Sequence, residues 1–258
     1  AHYLRVTGDT GVVDEQVPFL VGPELEDVEH ERYFRPEVSP ETASLYEHCL
    51  LALRHAMRYG FHGLPLMGTG DWNDGMNRVG QDGRGESVWL GWFLVTTLAE
   101  FSEVAEARGD AAVVEEFAAE RARLIEALEA EGWDGEWYRR GYFDDGTPLG
   151  AAGRAECRID AIAQSWAVLS GGARPERGRM AMEAVQRELE VPRAGILRLF
   201  TPPFEHSEPD PGYIRAYPPG VRENGGQYTH GALWSIFAWA ELGRVDRAYE
   251  LFAMLNPV

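Results

Sequence analysis

Two cysteines in 258 residues, Cys49 and Cys157, are too few for a disulfide framework and suit a reducing compartment as free thiols. Positive charge is also short: 24 Lys and Arg against 42 Asp and Glu leave a formal charge of −18, which repels the phosphates of nucleic acid and anionic lipid alike. The longest apolar stretch, Leu233 to Leu242, is broken by Ser235 and Glu241 and falls short of the ~20 residues that a bilayer demands. The opening Ala1-His2-Tyr3-Leu4-Arg5 lacks both Met and the basic-then-apolar order of a signal peptide, so the chain is expected to begin mid-protein. A Gly-Lys-Ser/Thr phosphate loop, a dinucleotide fingerprint and a Gly-x-Ser-x-Gly elbow are all missing, which argues against nucleotide cofactors and serine hydrolysis. What is present is apolar mass: 45% hydrophobic and 11% aromatic residues exclude intrinsic disorder.

That mass recurs at spacings of three and four, the mark of helices with a buried face. Leu45, Cys49, Ala52 and Ala56 share one face, and Val88, Trp92, Val95 and Ala99 another. Val114, Phe117, Leu124 and Leu128 follow, then Ile159, Ile162, Trp166 and Leu169, then Leu233, Ile236, Phe237 and Ala240. Ser87 and Asp110 stand where N-caps belong, so 87–108 and 110–131 form an antiparallel helical hairpin. Segments 158–170 with 174–190 and 229–242 with 244–255 repeat that order, which predicts an all-α stack or toroid of helix pairs without a sequence repeat. Only Trp133 to Thr147, with its Asp144-Asp145-Gly146 turn, has the pattern of a β-hairpin. Residues 17–40 and 192–228 are Pro- and Gly-rich and long for structureless loops, a length that commonly serves a site.

Two segments concentrate chemistry. In Gly70-Asp71-Trp72-Asn73-Asp74-Gly75, an indole offers a flat face to the C–H side of a sugar while carboxylates and an amide suit its hydroxyls. Screening of Asp74 by Trp72, with the like charge of Asp71 beside it, would keep the Asp74 carboxyl protonated as a general acid. The spacing fits turn and capping residues beside a core tryptophan equally well. In Arg222-Glu223-Asn224-Gly225-Gly226-Gln227-Tyr228-Thr229-His230, a polar loop enters an apolar helix whose first N–H groups, with Arg222 and His230, suit an oxyanion; Glu223 could hold a sugar hydroxyl or activate water. The commoner fate of such residues is an N-cap at Thr229 and a solvated Arg222–Glu223 pair. Arg158 and Asp160 read as an ion pair at a helix start and Glu86 as a first-turn carboxylate. His2, His30, His48, His55, His62 and His206 show no metal-ligand spacing and read as surface or packing residues.

The segment Gly63-Leu64-Pro65-Leu66-Met67-Gly68-Thr69-Gly70-Asp71-Trp72-Asn73-Asp74-Gly75-Met76-Asn77 resembles the signature of the cellobiose and chitobiose phosphorylase family, the inverting glycoside phosphorylases. Glu86-Ser87-Val88-Trp89-Leu90, Cys157-Arg158-Ile159-Asp160, Phe200-Thr201-Pro202-Pro203-Phe204 and the 221–230 motif follow in that family's order. The wording around Thr69 and Arg78-Val79-Gly80 is most similar to the C-terminal phosphorylase-like domain of cyclic β-1,2-glucan synthases.

The resemblance implies an (α/α)6 barrel, with Asp74 donating a proton to the glycosidic oxygen. It implies that Trp72 lines the site, that Glu223 contacts the sugar and that His230 contacts phosphate; the residue chemistry adds Asp71, Asn73 and Arg222 as expected substrate-binding groups. The implied reaction is phosphate-dependent cleavage of a β-glucan to α-glucose 1-phosphate, with phosphate as co-substrate and no cofactor. Because phosphate arrives anionic, one acid suffices where an inverting hydrolase needs a second carboxylate as base. The expected partners are a β-linked glucose oligosaccharide and phosphate, without nucleic acid. Residues 1–258 then form a portion of the catalytic domain, lacking the N-terminal β-sandwich, the first barrel helices and the C-terminal end. An open, incomplete barrel with little activity alone is expected, completed by self-association or by the missing parts. The location expected is cytoplasmic, with attachment of the parent protein to the inner membrane through segments outside this chain left open. Two other readings compete: an inverting hydrolase with Glu223 as base, and a non-catalytic glycan-binding piece.

Overall fold

The computed structural model describes residues 1–26, 29 and 32–256; His30, read from sequence as a surface or packing residue, lies outside them. In chain order the helices are α1 (His2–Thr7), α2 (Leu45–Ala56), α3 (Val88–Ala107), α4 (Ala111–Ala127), α5 (Ala161–Leu169), α6 (Pro175–Leu189), α7 (Thr229–Glu241) and α8 (Val245–Leu255). The strands are β1 (Gln16–Val21), β2 (Glu37–Ser44), β3 (Glu86–Ser87), β4 (Gly141–Tyr142), β5 (Pro148–Leu149), β6 (Ile159–Asp160), β7 (Glu190–Val191), β8 (Ile196–Leu197) and β9 (Phe200–Thr201).

The Ser87 and Asp110 side chains accept hydrogen bonds from Leu90 N and Val113 N, so both expected N-caps form and start α3 and α4. Each cap is worth about 1 kcal/mol of helix stability. α3 packs on α4, α5 on α6 and α7 on α8, while α5 also packs on α3 and on α7. The result is an all-α arc of helix pairs, part of an α/α barrel, with α3, α5 and α7 as neighbours in one layer. α3 shows why a layer of this kind needs an apolar helix: Val88, Trp92 and Val95 are buried on one side of it and Trp89, Leu94 and Val104 on others. By length and composition α3 could cross a membrane, yet more than half of it is buried inside the fold, as in a core helix. Gly91 lets α4's C-terminal end close on α3, since a Cβ there would lie 2.8 Å from Leu128 Cδ2.

The connections differ from expectation in two places. Residues 17–40 contain more than loop: β1 and β2 form an antiparallel ribbon, with an irregular register between Pro18 and Leu20. Pro18 is tolerated because the ribbon has two strands only and both are edges. The expected hairpin exists but is shorter and shifted: β4 pairs with β5 around the Asp144–Gly146 turn, and β3 joins to make three strands. Upstream, Trp133 and Tyr138 make only an isolated bridge. A cluster of Met67, Met76, Trp89, Phe143, Ile162, Leu199, Phe200, Phe204 and Ile214 backs the loops described next, with Trp72, Tyr228 and Trp234 packed against it.

Candidate active site

The 71–74 turn is built around a buried carboxylate. Arg140 Nη2 and Nη1 donate to Asp71 Oδ1 and Oδ2, each at 2.6 Å; Ser87 Oγ donates to Oδ2 at 2.6 Å and Asn73 N to Oδ1 at 3.0 Å. Four donors exhaust the carboxylate's acceptor sites. Both charged side chains are fully buried. Burial alone would raise Asp71, but the Arg140 charge and the hydrogen bonds outweigh it and hold the carboxyl below its usual value. Because Ser87 also caps α3, this bidentate pair ties the turn to the start of a core helix. Gly70, at φ 126°, completes the bend: a Cβ there would meet Asp74 Cα at 2.9 Å.

Past Asp71 the chain turns outward. Trp72 is half-buried, Asn73 is 1% exposed, and Asp74 is exposed at the start of a 3-10 turn running to Met76. The expected sugar contact of Asp71 is therefore corrected: its side chain is sealed in the ion pair and acts as an anchor. Asn73 is likewise withdrawn from the surface, and neither of its amide atoms has a hydrogen-bond partner. Asp74 is not screened from water by Trp72, and Arg140 neutralises the like charge expected from Asp71.

The 220–230 loop is braced by Asn224, fully buried. Asn224 Oδ1 accepts from Phe204 N at 2.7 Å, and Nδ2 donates to Phe204 O at 2.9 Å and to Tyr217 O at 2.8 Å. Glu223 is only 9% exposed. Its Oε2 lies 3.3 Å from Arg222 Nε and has no hydrogen-bond partner, an acceptor in want of a donor. Arg222 adopts φ 52°, rare for a residue with a side chain. Its guanidinium sits 4.6 Å over the Tyr217 ring. The charge of Glu223, then lost hydration and a hydrogen bond to Glu223, raise the Tyr228 hydroxyl above its ordinary value. Tyr228 rather than Thr229 is the N-cap of α7, and no side chain caps that helix.

The two segments meet. Trp72 Nε1 donates to His230 Nδ1 at 3.2 Å. The Trp72 ring stands edge-on to Tyr228 at 5.3 Å and lies 5.5 Å from Trp234, itself 4.4 Å from His230. An indole can only donate, so His230 Nδ1 is the acceptor and the neutral imidazole carries its proton on Nε2. That N–H makes no hydrogen bond among the described residues, and His230 itself stands in the uncapped first turn of α7. Trp234 stacks with Trp89 at 6.1 Å and meets Trp166 at 5.3 Å, which extends the aromatic wall onto α3 and α5.

Other sequence readings resolve differently. Arg158 pairs with Glu188 at 3.0 Å, not with Asp160. Asp160 caps α5 and lies 3.4 Å from Arg140 Nε. Glu86 is buried in β3, where it accepts from the backbone of His62 and Leu64 and pairs with the His62 ring. Residues passed over in the sequence, Arg140, Tyr213, Tyr228 and Trp234, belong to the site or its support. Tyr228 sat in a motif already singled out, whereas Arg140 stands 69 positions from its partner. Among the described residues no group of three or more His, Cys, Asp or Glu is arranged to hold a metal ion.

Residues 2–258 match the glycosyl hydrolase 94 superfamily, catalytic domain. The chain is 55% identical to the cyclic beta-(1,2)-glucan synthase NdvB of Rhizobium meliloti (strain 1021), over 100% of this chain and 9% of that protein. It is 35% identical to solabiose phosphorylase of Paenibacillus borealis, covering 99% of this chain and 31% of the relative. It is 33% identical to N,N'-diacetylchitobiose phosphorylase of Vibrio furnissii, covering 99% and 29%. The chain thus spans under a third of these relatives. In fold it is similar to a GH78 family rhamnosidase of Bacillus sp. GL1, with a TM-score of 0.52 and 18% identity over 81% of this chain and 18% of that one.

Proposed function

This chain belongs to the glycosyl hydrolase 94 superfamily, a family of glycosyl-transferring enzymes, and we propose that it supplies the proton donor and the phosphate grip of an inverting glycoside phosphorylase acting on β-linked glucose oligomers. Its similarity to a cyclic glucan synthase favours a β-1,2-glucan as the substrate. The observation that carries this reading is the Trp72–His230 hydrogen bond, which brings the two motifs together two positions from Asp74 and leaves the Nε2–H of His230 as a donor.

In the reaction, a phosphate oxygen attacks the anomeric carbon from the face opposite the leaving oxygen. The C1–O bond breaks, Asp74 gives its proton to that oxygen, and the hydrogen phosphate's proton passes to solvent, which reprotonates Asp74. The products are α-glucose 1-phosphate and a shortened oligomer. His230 Nε2–H and the uncapped α7 start favour the anion, an attraction needed against a chain charge of −18. Trp72 and its aromatic neighbours offer the apolar platform for the sugar, and the Glu223 oxygen, ion-paired with Arg222 but without a hydrogen bond, accepts a sugar hydroxyl.

The test is to incubate the complete polypeptide carrying this chain with β-1,2-linked glucose oligomers, with and without inorganic phosphate, and to identify products by proton NMR. Formation of α-glucose 1-phosphate only with phosphate is expected. Free glucose released without phosphate contradicts the reading and favours hydrolysis with Glu223 as base; absence of any turnover favours a glycan-binding role.

A further inference from the structure

We propose that Tyr213 is a positioning residue for the proton donor: with its turn packed on the Asp74 turn, its hydroxyl donates a hydrogen bond to Asp74 and so fixes which carboxyl oxygen faces the glycosidic oxygen. The proposal rests on the reading of Asp74 as the general acid.

The backbone holds Tyr213 against the Asp74 turn from several directions. The 3-10 turn Tyr213–Ala216 packs on the turn Asp74–Met76. Tyr213 N donates to Asn77 Oδ1 at 3.1 Å, and Arg78 N donates to Pro211 O at 3.2 Å. Gly212, at φ 119°, permits the approach, since a Cβ there would lie 2.2 Å from Asn77 Oδ1 and 2.8 Å from Gly75 O. Ile214 is fully buried and close to Gly75. Outside this contact, Arg78 Nη1 donates to Asp210 Oδ2 at 2.7 Å, and Asp210 Oδ1 accepts from Gly212 N at 3.0 Å. The phenol therefore has little freedom to leave the carboxylate, although 45% of Tyr213 is exposed.

The chemistry of the pair suits this placement. Lost hydration, then the hydrogen bond and charge of Asp74, push the Tyr213 hydroxyl up to about 12, with smaller contributions from Tyr217 and Glu223, so it remains a donor at neutral pH. Arg78, Asp210 and Arg215 line the adjoining hollow of about 330 Å³. A carboxyl that donates a proton through one oxygen has the other available as acceptor. The Tyr213 bond to that second oxygen strengthens as Asp74 gains negative charge during transfer, which lowers the barrier of the proton-assisted step. A leaving group that departs without a proton gains nothing from it.

Tyr213→Phe in the complete polypeptide, assayed with inorganic phosphate on a β-1,2-linked glucose oligomer and on β-glucosyl fluoride, separates the two cases. On the oligomer kcat should fall about 10- to 100-fold, while on the fluoride it should fall less than about threefold. Equal losses on both substrates, or an unchanged rate on the oligomer, overturn the proposal. Asp74→Asn is the control: if it keeps oligomer turnover, the reading of Asp74 fails and the role of Tyr213 with it. An Asp74→Asn enzyme inert on the oligomer beside a Tyr213→Phe enzyme like wild type overturns Tyr213 alone.

Discussion

Trp72 and His230 are hydrogen-bonded across 158 positions of sequence, indole N–H to imidazole Nδ1 at 3.2 Å. The bond joins the turn that presents Asp74 to the first turn of α7 and fixes the imidazole tautomer. Trp72→Phe keeps an aromatic face and removes the donor. A hydrogen bond of about 1 kcal/mol corresponds to roughly a fivefold rise in phosphate KM. Initial rates against phosphate check it; an unchanged phosphate KM would show that the tautomer does not matter.

Arg140 sits fully buried between two carboxylates, bidentate to Asp71 and 3.4 Å from Asp160. Removing the cation strands negative charge in the interior, a loss of about 3–5 kcal/mol by comparison with other buried pairs. Arg140→Met should therefore lower the urea midpoint sharply, and adding Asp71→Asn should restore part of the loss. A destabilisation below about 1 kcal/mol would mean that water reaches the pair.

Asp160 gives a pH signature of opposite sign to the usual carboxylate. Burial, only partly offset by Arg140, raises its carboxyl to about 6. Its contribution to stability is thus fully present below the unfolded value near 4 and is lost as pH rises through about 6. Asp160→Asn keeps an acceptor for capping α5 and removes the titration. The stability of the variant relative to wild type should rise by roughly 2 kcal/mol between pH 4 and pH 7 in denaturation experiments. A constant difference across that range would contradict it.

The helix pairs were legible because each has a periodic apolar face and Ser87 and Asp110 are good caps. Trp72 and His230 were singled out together because their motifs resemble those of a known family, not because spacing shows that residues 72 and 230 meet. Asp71 was misread, since a carboxylate beside a tryptophan looks the same whether its cation is 69 positions away or absent. The β1–β2 ribbon was hidden by Pro18, Gly22, Pro36 and Pro40, which read as loop residues although an isolated two-stranded ribbon accommodates proline on its edges. Tyr213 had no local signal at all; the Gly212 bend that delivers it to Asp74 is visible only in three dimensions.

Asp74 as proton donor and His230 as phosphate contact are tested most directly by one measurement: initial rates of α-glucose 1-phosphate formation against phosphate concentration for the complete wild-type polypeptide, Asp74→Asn and His230→Ala. The structure predicts that Asp74→Asn lowers kcat at least about 100-fold whatever the phosphate concentration. It predicts that His230→Ala raises the phosphate KM about tenfold, for the loss of a hydrogen bond to a charged group. Full activity in Asp74→Asn, or a His230→Ala enzyme whose phosphate dependence is unchanged, would contradict it.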